Sequence, residues 1–333
     1  MIDFDKAKKT ERDPPERLQE FLDGLTPALA ATVLSIFVDL RAGLTLAGLE
    51  REISRGLTSQ VVERVSRAAA RRIETALVDA YVESGKATAS SFMRGRLGIS
   101  IDFDQTAQEV VGFVRQLRVD LVREITDQQR AAILEAITDG IQRGINPREV
   151  ARTFRNTIGL TRKQVLAVNR YRAALEKGSV EALRRQLRDR RFDPTVQRAI
   201  ASKEPLSREQ VDRMVDRYRE RFLQFRAETI ARTEGLAAVQ AGADQMYGQA
   251  IAEGAIDADA LTTEWNTAKD ERVRRSHAFM HGQKRKFGVP FLSGDGNLLR
   301  YPGDRFAPAS DRVKCRCTRG VRVSLVGVLS GMR

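Results

Sequence analysis

VVGFVRQLRVDLVREITDQQRAAILEAITDGI, from Val110 to Ile141, is the stretch whose reading decides the fold. Its apolar side chains fall at 110, 114, 117, 121 and 125, then at 134, 137 and 141. That spacing of three and four builds one face of a helix, not the alternation of a strand. Asp102 or Asp104 is placed to cap its start, and Gly140 or Gly144 to end it. No proline occurs between Pro27 and Pro147, so nothing in that span removes a backbone donor, and long helices are permitted. Asn146-Pro147 with Glu149 opens a further helix with proline at its first position. Thr161 with Gln164 and Ser207 with Gln210 read as capping boxes, each side chain satisfying the other residue's exposed N–H. After the second box Val211, Val215, Tyr218, Phe222 and Phe225 alternate by four and three, a seam that packs on neighbouring helices.

The rest of the chain agrees with this reading. A length of 333 residues suits two domains, or one with a long extension. Charged residues make up 30% and aromatics only 6%, which fits amphipathic helices better than a β-sandwich or barrel. Glycines at 85, 95 and 98 mark breaks in the first third. After Gly254 the texture changes: Gly, Pro, Asp and Asn become frequent, and β-prone runs appear at Leu261 to Thr267, Val289 to Leu292 and Val321 to Val326. Asp270 to Met280 reads as a helix between the first two runs. The fold class expected is therefore mainly α, a long-helix N-terminal body followed by a small α+β C-terminal module. Its divisions are a helical N-terminal region over 1–100, a helical body with a basic segment over 101–254, and the module over 255–333.

The net charge of +13 is unevenly spread. Residues 1–100 carry +1, 101–205 carry +6, 206–260 carry −3 and 261–333 carry +9. Clustered positive charge attracts a phosphate backbone through counterion release, so double-stranded DNA is the expected polyanion. The candidate contacts are Arg184, Arg185, Arg188, Arg190 and Arg191 in the middle segment, and Lys284, Arg285 and Lys286 in the module. Between 148 and 198, Tyr171 and Phe192 are the aromatics to note, too few for stacking readout, so binding would hold phosphates without sequence preference. The competing reading is a solvated face whose arginines pair with interspersed acids. The N-terminus lacks a basic region followed by an apolar one. The longest apolar run, Leu29 to Val38, stops at Asp39, short of the ~20 residues that span a bilayer, so no membrane segment is expected. Two cysteines cannot build a disulfide framework, which fits synthesis in a reducing cytoplasm.

The scarce residues gather at one end. The two histidines (His277 and His281), the two cysteines (Cys315 and Cys317) and the single tryptophan (Trp265) all lie in the last quarter. His277 and His281, four apart, share a face if helical, and Cys315 and Cys317 can aim both sulfurs at one point. Two imidazoles and two thiolates suit tetrahedral zinc, the candidate cofactor. The one-residue Cys spacing is tighter than usual, and two small buried thiols with hydrogen-bonding histidines are the alternative. A Cys–His nucleophile pair is a further one, with no local support. By composition alone, Arg232-Thr233-Glu234 is a surface pair worth well under ~1 kcal/mol.

Read in order, Ile230-Ala231-Arg232-Thr233-Glu234, Trp265, Asp270-x-Arg272-x-Arg274-x-x-His277, Gly282, Pro302-Gly303-Asp304 and Cys315-Arg316-Cys317 resemble the Mu F-like minor head (head morphogenesis) proteins of tailed bacteriophages. Ile158-Gly159-Leu160-Thr161-x-x-Gln164 with Tyr171-Arg172 is similar to their helical part, so the likeness spans roughly 145–320. Lys314 departs from it, standing where the family usually has Asn. The resemblance implies a minor capsid protein, made in the host bacterial cytoplasm and carried inside the virion head near the portal vertex. Its implied partners are the portal, capsid or scaffold proteins and packaged DNA, with no membrane contact before ejection; some members are thought to leave with the genome. It implies no catalysis. Arg232, Glu234, Trp265, Asp270, Arg274, His277, Gly282, Pro302, Gly303, Asp304, Cys315 and Cys317 would serve structure. The alternative is an enzyme, ADP-ribosyltransferase-like or acting on nucleic acid, that uses the His/Cys cluster. With only six acids spread over 261–333, metal-dependent nuclease chemistry is disfavoured.

Overall fold

The computed structural model describes residues 12–13, 15–94, 102–142 and 147–324. The expected features at Gly95, Gly98, Gly144, Asn146, Leu325 and Val326 lie outside the described residues. After a short strand β1 (Arg12–Asp13) come helices α1 (Pro15–Ala42), α2 (Leu46–Ser54), α3 (Thr58–Arg94), α4 (Gln108–Gln142), α5 (Pro147–Thr157), α6 (Arg162–Glu176), α7 (Asp193–Ser202) and α8 (Arg208–Ala252). Then follow β2 (Leu261–Asn266), α9 (Arg275–Ala278), β3 (Lys284–Lys286), β4 (Phe291–Leu292), β5 (Leu298–Leu299), α10 (Ala309–Arg312) and β6 (Thr318–Val323). The protein is thus mainly α, with small sheets near its C-terminus.

Residues divide by contact into two units: 1–30, 74–117 and 229–333 in one, 31–73 and 118–228 in the other. Helices α1, α3, α4 and α8 contribute residues to both.

In the second unit both capping boxes form. Thr161 Oγ1 accepts from the Gln164 N–H at 3.4 Å, and Gln164 Oε1 accepts from the Thr161 N–H at 2.9 Å. Ser207 and Gln210 repeat the arrangement at 3.2 and 2.9 Å. Val211, Val215 and Tyr218 are buried against Val168, Tyr171 and Leu175 of α6, whereas Phe225, expected on the same seam, is 39% exposed. The turn before α6 is held from three sides. Gly159 has φ +84, and a Cβ there would lie 2.3 Å from Leu223 and 2.9 Å from Phe37. Gln129 accepts from the Gly159 N–H (3.0 Å) and donates to the Leu160 carbonyl (2.8 Å). Arg41 donates to the carbonyls of Asn156 and Ile158, both at 2.9 Å. That explains a correction along α4. Leu134 was expected on its apolar face and is 65% exposed. Among the described residues, the buried positions after Ile125 are instead Gln129, Ala132, Ile133 and Ala136, because the amide of Gln129 is needed inside to bond the turn; the side chains expected at Ile137 and Ile141 lie outside the described residues.

In the first unit Gly85 lies within α3, not at a break. The ring of Phe103 packs where its side chain would be, 2.6 Å from an ideal Cβ. Tyr81 stacks on Phe113 with centroids 4.4 Å apart. Gly242 of α8 meets the Tyr81 carbonyl so closely that a Cβ would sit 2.2 Å from its oxygen. Ser84 Oγ donates to the Val239 carbonyl at 2.7 Å in the same contact.

An antiparallel sheet in this unit has the order β1-β6-β2-β3, and β4 pairs with β5 in a separate hairpin. In β2 the residues Leu261, Thr263 and Trp265 point inward by strict alternation, and Trp265 is opposite Arg319 of β6. The expected helix over Asp270 to Met280 is reduced to Arg275–Ala278. Lys269 is left-handed with φ +55, Asp270 accepts from the Arg272 N–H at 3.0 Å, and Met280 and His281 donate to carbonyls only three residues back. These local bonds satisfy the backbone in turns and leave less of it to a helix.

By length and composition, Leu22–Ala42 of α1 is apolar enough to cross a membrane, with a mean hydropathy of 1.5. The run from Leu29 to Val38 taken alone understates it. Leu22, Leu29, Val33, Ile36 and Phe37 on this helix are buried.

Candidate functional site

The module's motif residues converge on one face of α8, within the first unit. Arg232-Thr233-Glu234 is not the surface pair its composition suggests. Glu234 is buried and accepts from Arg305 and from Arg312, each at 3.2 Å. Thr233 Oγ1 accepts the Lys314 N–H at 3.0 Å. Two cations and a backbone donor, all more than seventy residues away, have their partners on one helical turn. No local spacing announces this.

The other motif residues fix the loops between the strands. Asp304 is 2% exposed and accepts Arg300 through both carboxylate oxygens, at 2.9 and 2.7 Å. It also caps the N–H groups of Arg300 (3.0 Å) and Phe306 (3.1 Å). Burial alone would raise its pKa, but the Arg300 hydrogen bonds outweigh this, and the carboxyl is held below the usual range. Gly303 takes φ +81 beside Leu236 and Ala237 of α8, so Pro302-Gly303-Asp304 is the tight turn its composition predicts. Asp270 pairs with Arg316, and Arg274 donates to the carbonyls of Asp311 and Val313. Gly282, at φ +76, donates its N–H to the Trp265 carbonyl at 2.8 Å.

At the centre lies Trp265, fully buried, with His277 at 5.4 Å and Phe291 at 5.3 Å between ring centroids, both edge-on. Cys315 and Cys317 belong to the same apolar core, with Leu22, Leu236, Met280 and Leu299. Both sulfurs stand 3.5 Å from one atom, His277 Nδ1. The Cys317 N–H points at Cys315 Sγ at 3.4 Å. His277 Nε2 lies 3.3 Å from Asp311 Oδ1 without the alignment of a hydrogen bond. Asp311 is wholly buried and accepts Ser276 Oγ at 3.1 Å and Asn297 Nδ2 at 2.8 Å.

The hydrogen bond from Cys317 holds the Cys315 thiol well below its ordinary range; burial opposes it, and His277 assists. Cys317 is pushed far up by its acidic neighbour and by burial.

His281 does not join this cluster. It is exposed, and its Nδ1 accepts the Thr267 N–H at 3.3 Å. The shared helix face that the four-residue spacing predicted is absent, because α9 ends at Ala278. Asp311, Ser276 and Asn297 were missed by sequence reasoning. The available signal was the scarcity of acids after position 261, which makes each buried one informative.

Cys315, His277 and Asp311 stand in the order nucleophile, base, orienting acid. All three are at most 1% exposed and face the core.

The basic candidates are dispersed and partly neutralised. Arg184 bonds Glu181 at 2.7 Å, Arg188 is bidentate to Asp193 at 2.8 and 2.9 Å, and Arg191 pairs with Asp189 at 2.6 Å. Arg190 is exposed and Arg185 half-buried. In the module, Lys284 and Lys286 lie on the exposed face of β3, with Arg285 between them half-buried, and Lys286 meets Asp259 at 2.7 Å.

Fold and site together describe a helical protein whose C-terminal module is locked by buried charge pairs and a thiol–imidazole core. Residues 168–319 match the family described as phage Mu protein F like protein, and over that span the chain is similar to Mu F-like phage proteins. The match takes in every motif residue from Arg232 to Cys317, while the similar run from Ile158 to Gln164 precedes it. The likeness is to a family of phage head proteins. No curated protein and no solved structure matches it.

Proposed function

We propose that this protein is a minor capsid protein of head morphogenesis, held inside the phage head near the portal vertex and contacting portal protein and packaged double-stranded DNA. The observation that carries the reading is the Mu F-like match, whose motif residues are spent on internal architecture. Glu234, Asp304 and the His277–Cys315–Cys317 core are all buried, as expected of a docking module. Arg184, Arg190 and Arg191, with Lys284 and Lys286 on the edge strand β3, are the exposed cations offered to phosphates. The exposed pairs of Arg184 with Glu181 and Lys286 with Asp259 are each worth only about 0–1 kcal/mol, so a phosphate can replace those carboxylates. Lysines on an edge strand also guard against strand pairing, a role compatible with this one.

Co-purification with a portal ring tests the placement. Capture at low stoichiometry is expected, and a chain that stays free of portal at micromolar concentration would refute it. A salt titration tests the DNA contact. Several phosphate contacts predict a loss of affinity of about 10³ or more between 50 and 200 mM salt; no loss would reject it.

A further inference from the structure

We propose that His277, Cys315 and Cys317 form a mononuclear zinc site of three protein ligands, with Asp311 orienting the imidazole and His281 excluded. The inference rests on the buried cluster and is independent of the phage-head reading.

Hydrogen bonding alone leaves the cluster unexplained. An imidazole Nδ1 has one proton or one lone pair to offer, yet two sulfurs stand at the same 3.5 Å from it. That is the spacing of two edges of a metal tetrahedron. With Zn–S at about 2.3 Å and Zn–N at about 2.05 Å, tetrahedral geometry separates sulfur and nitrogen by about 3.6 Å. The three ligand atoms all lie within 4.8 Å of one another. Three further features belong with such a site. Asp311 Oδ1 stands 3.3 Å from the second nitrogen of His277, close to the position of the carboxylate that fixes a metal-bound histidine though not aligned as a hydrogen bond. The Cys317 N–H addresses the Cys315 sulfur, as thiolate ligands require. Beside both sulfurs is a cavity of about 10 Å³, near the size of one water.

That cavity supplies the fourth position. Thr26, Arg232 and Arg316 are among its lining residues. Arg232 Nε is buried without a hydrogen-bond partner, so an N–H is available to a metal-bound water. Two thiolates balance the charge of the dication, and the thiol protons leave to solvent when it binds.

The test uses the full chain, purified without chelators from zinc-supplemented cells. Elemental analysis should give about one zinc per chain. Zinc should persist in His281→Ala and fall to background in Cys317→Ser and His277→Ala. Cobalt added to metal-free wild-type protein should give a sulfur-to-cobalt charge-transfer band and tetrahedral visible bands. This keeps the proposal falsifiable even where a cysteine variant fails to fold. Metal should also shield both thiols from an aromatic disulfide reagent until chelator is added. The proposal is overturned by zinc below about a tenth of an equivalent together with no cobalt band, or by a Cys315–Cys317 disulfide in the purified chain. Loss of zinc in His281→Ala would overturn it equally.

Discussion

Replacing Glu234 by Gln removes the carboxylate that faces Arg305 and Arg312 while keeping the side chain's shape. The side chains of Glu234, Arg305 and Arg312 are 7%, 10% and 14% exposed, so water screens the interaction poorly. Removing one partner of a buried ion pair costs about 3–5 kcal/mol; the residual exposure of the arginines favours the lower end, about 3 kcal/mol. Trp265 is the single tryptophan and is fully buried in the same unit, so its fluorescence reports this unfolding directly. With a urea dependence of roughly 1–3 kcal/mol per molar, the midpoint should drop by on the order of 1–3 M. Lys286→Gln is the internal control. Its pair with Asp259 is 2.7 Å long, but the two side chains are 71% and 77% exposed, so the expected change is below about 1 kcal/mol. If the two variants unfold alike, with Glu234→Gln losing under about 1 kcal/mol, the argument from burial is wrong.

Three further outcomes follow from single features. Lys314 sits at φ +55, a left-handed conformation that costs an ordinary L residue about 1–2 kcal/mol and Asn less. Lys314→Asn should therefore raise the Trp265-monitored stability by roughly 0.5–1 kcal/mol, and a loss would show that the lysine side chain outweighs its strained backbone. Gly242→Ala places a Cβ 2.2 Å from the Tyr81 carbonyl oxygen; forcing α3 and α8 apart should cost at least about 1–3 kcal/mol in thermal denaturation, and a neutral result would refute the claim that this close approach requires glycine. Asp304 is held below its unfolded pKa, so its contribution is full above about pH 4 and is lost as pH falls through the native value. Asp304→Asn should flatten the acid limb of the stability profile; an unchanged limb would deny the carboxylate that role.

The helices were legible because their causes are local. Caps at Thr161 and Ser207, proline at the first turn of α5 and apolar spacing along α4 and α8 act within a few residues, so the sequence displays them directly. Where a distant residue intervened, local reading failed. Gln129 took a core position from Leu134 because the turn at Gly159 needed its amide, and Gly85 broke nothing because the Phe103 ring required the space.

For the candidate site the division is similar. Sequence alone determined that rare chemistry sits after position 254, that Trp265 is core, that Pro302-Gly303-Asp304 turns, and that Cys315 and Cys317 act together. Tertiary structure decided which partners they meet. It buried Glu234 beneath two arginines, substituted Asp311 for His281 beside His277, and closed the thiols into an apolar core. Hydrogen bonds and ion pairs between residues 34 to 81 positions apart depend on how strands and loops fold back onto α8, and no spacing along the chain encodes a distance across it.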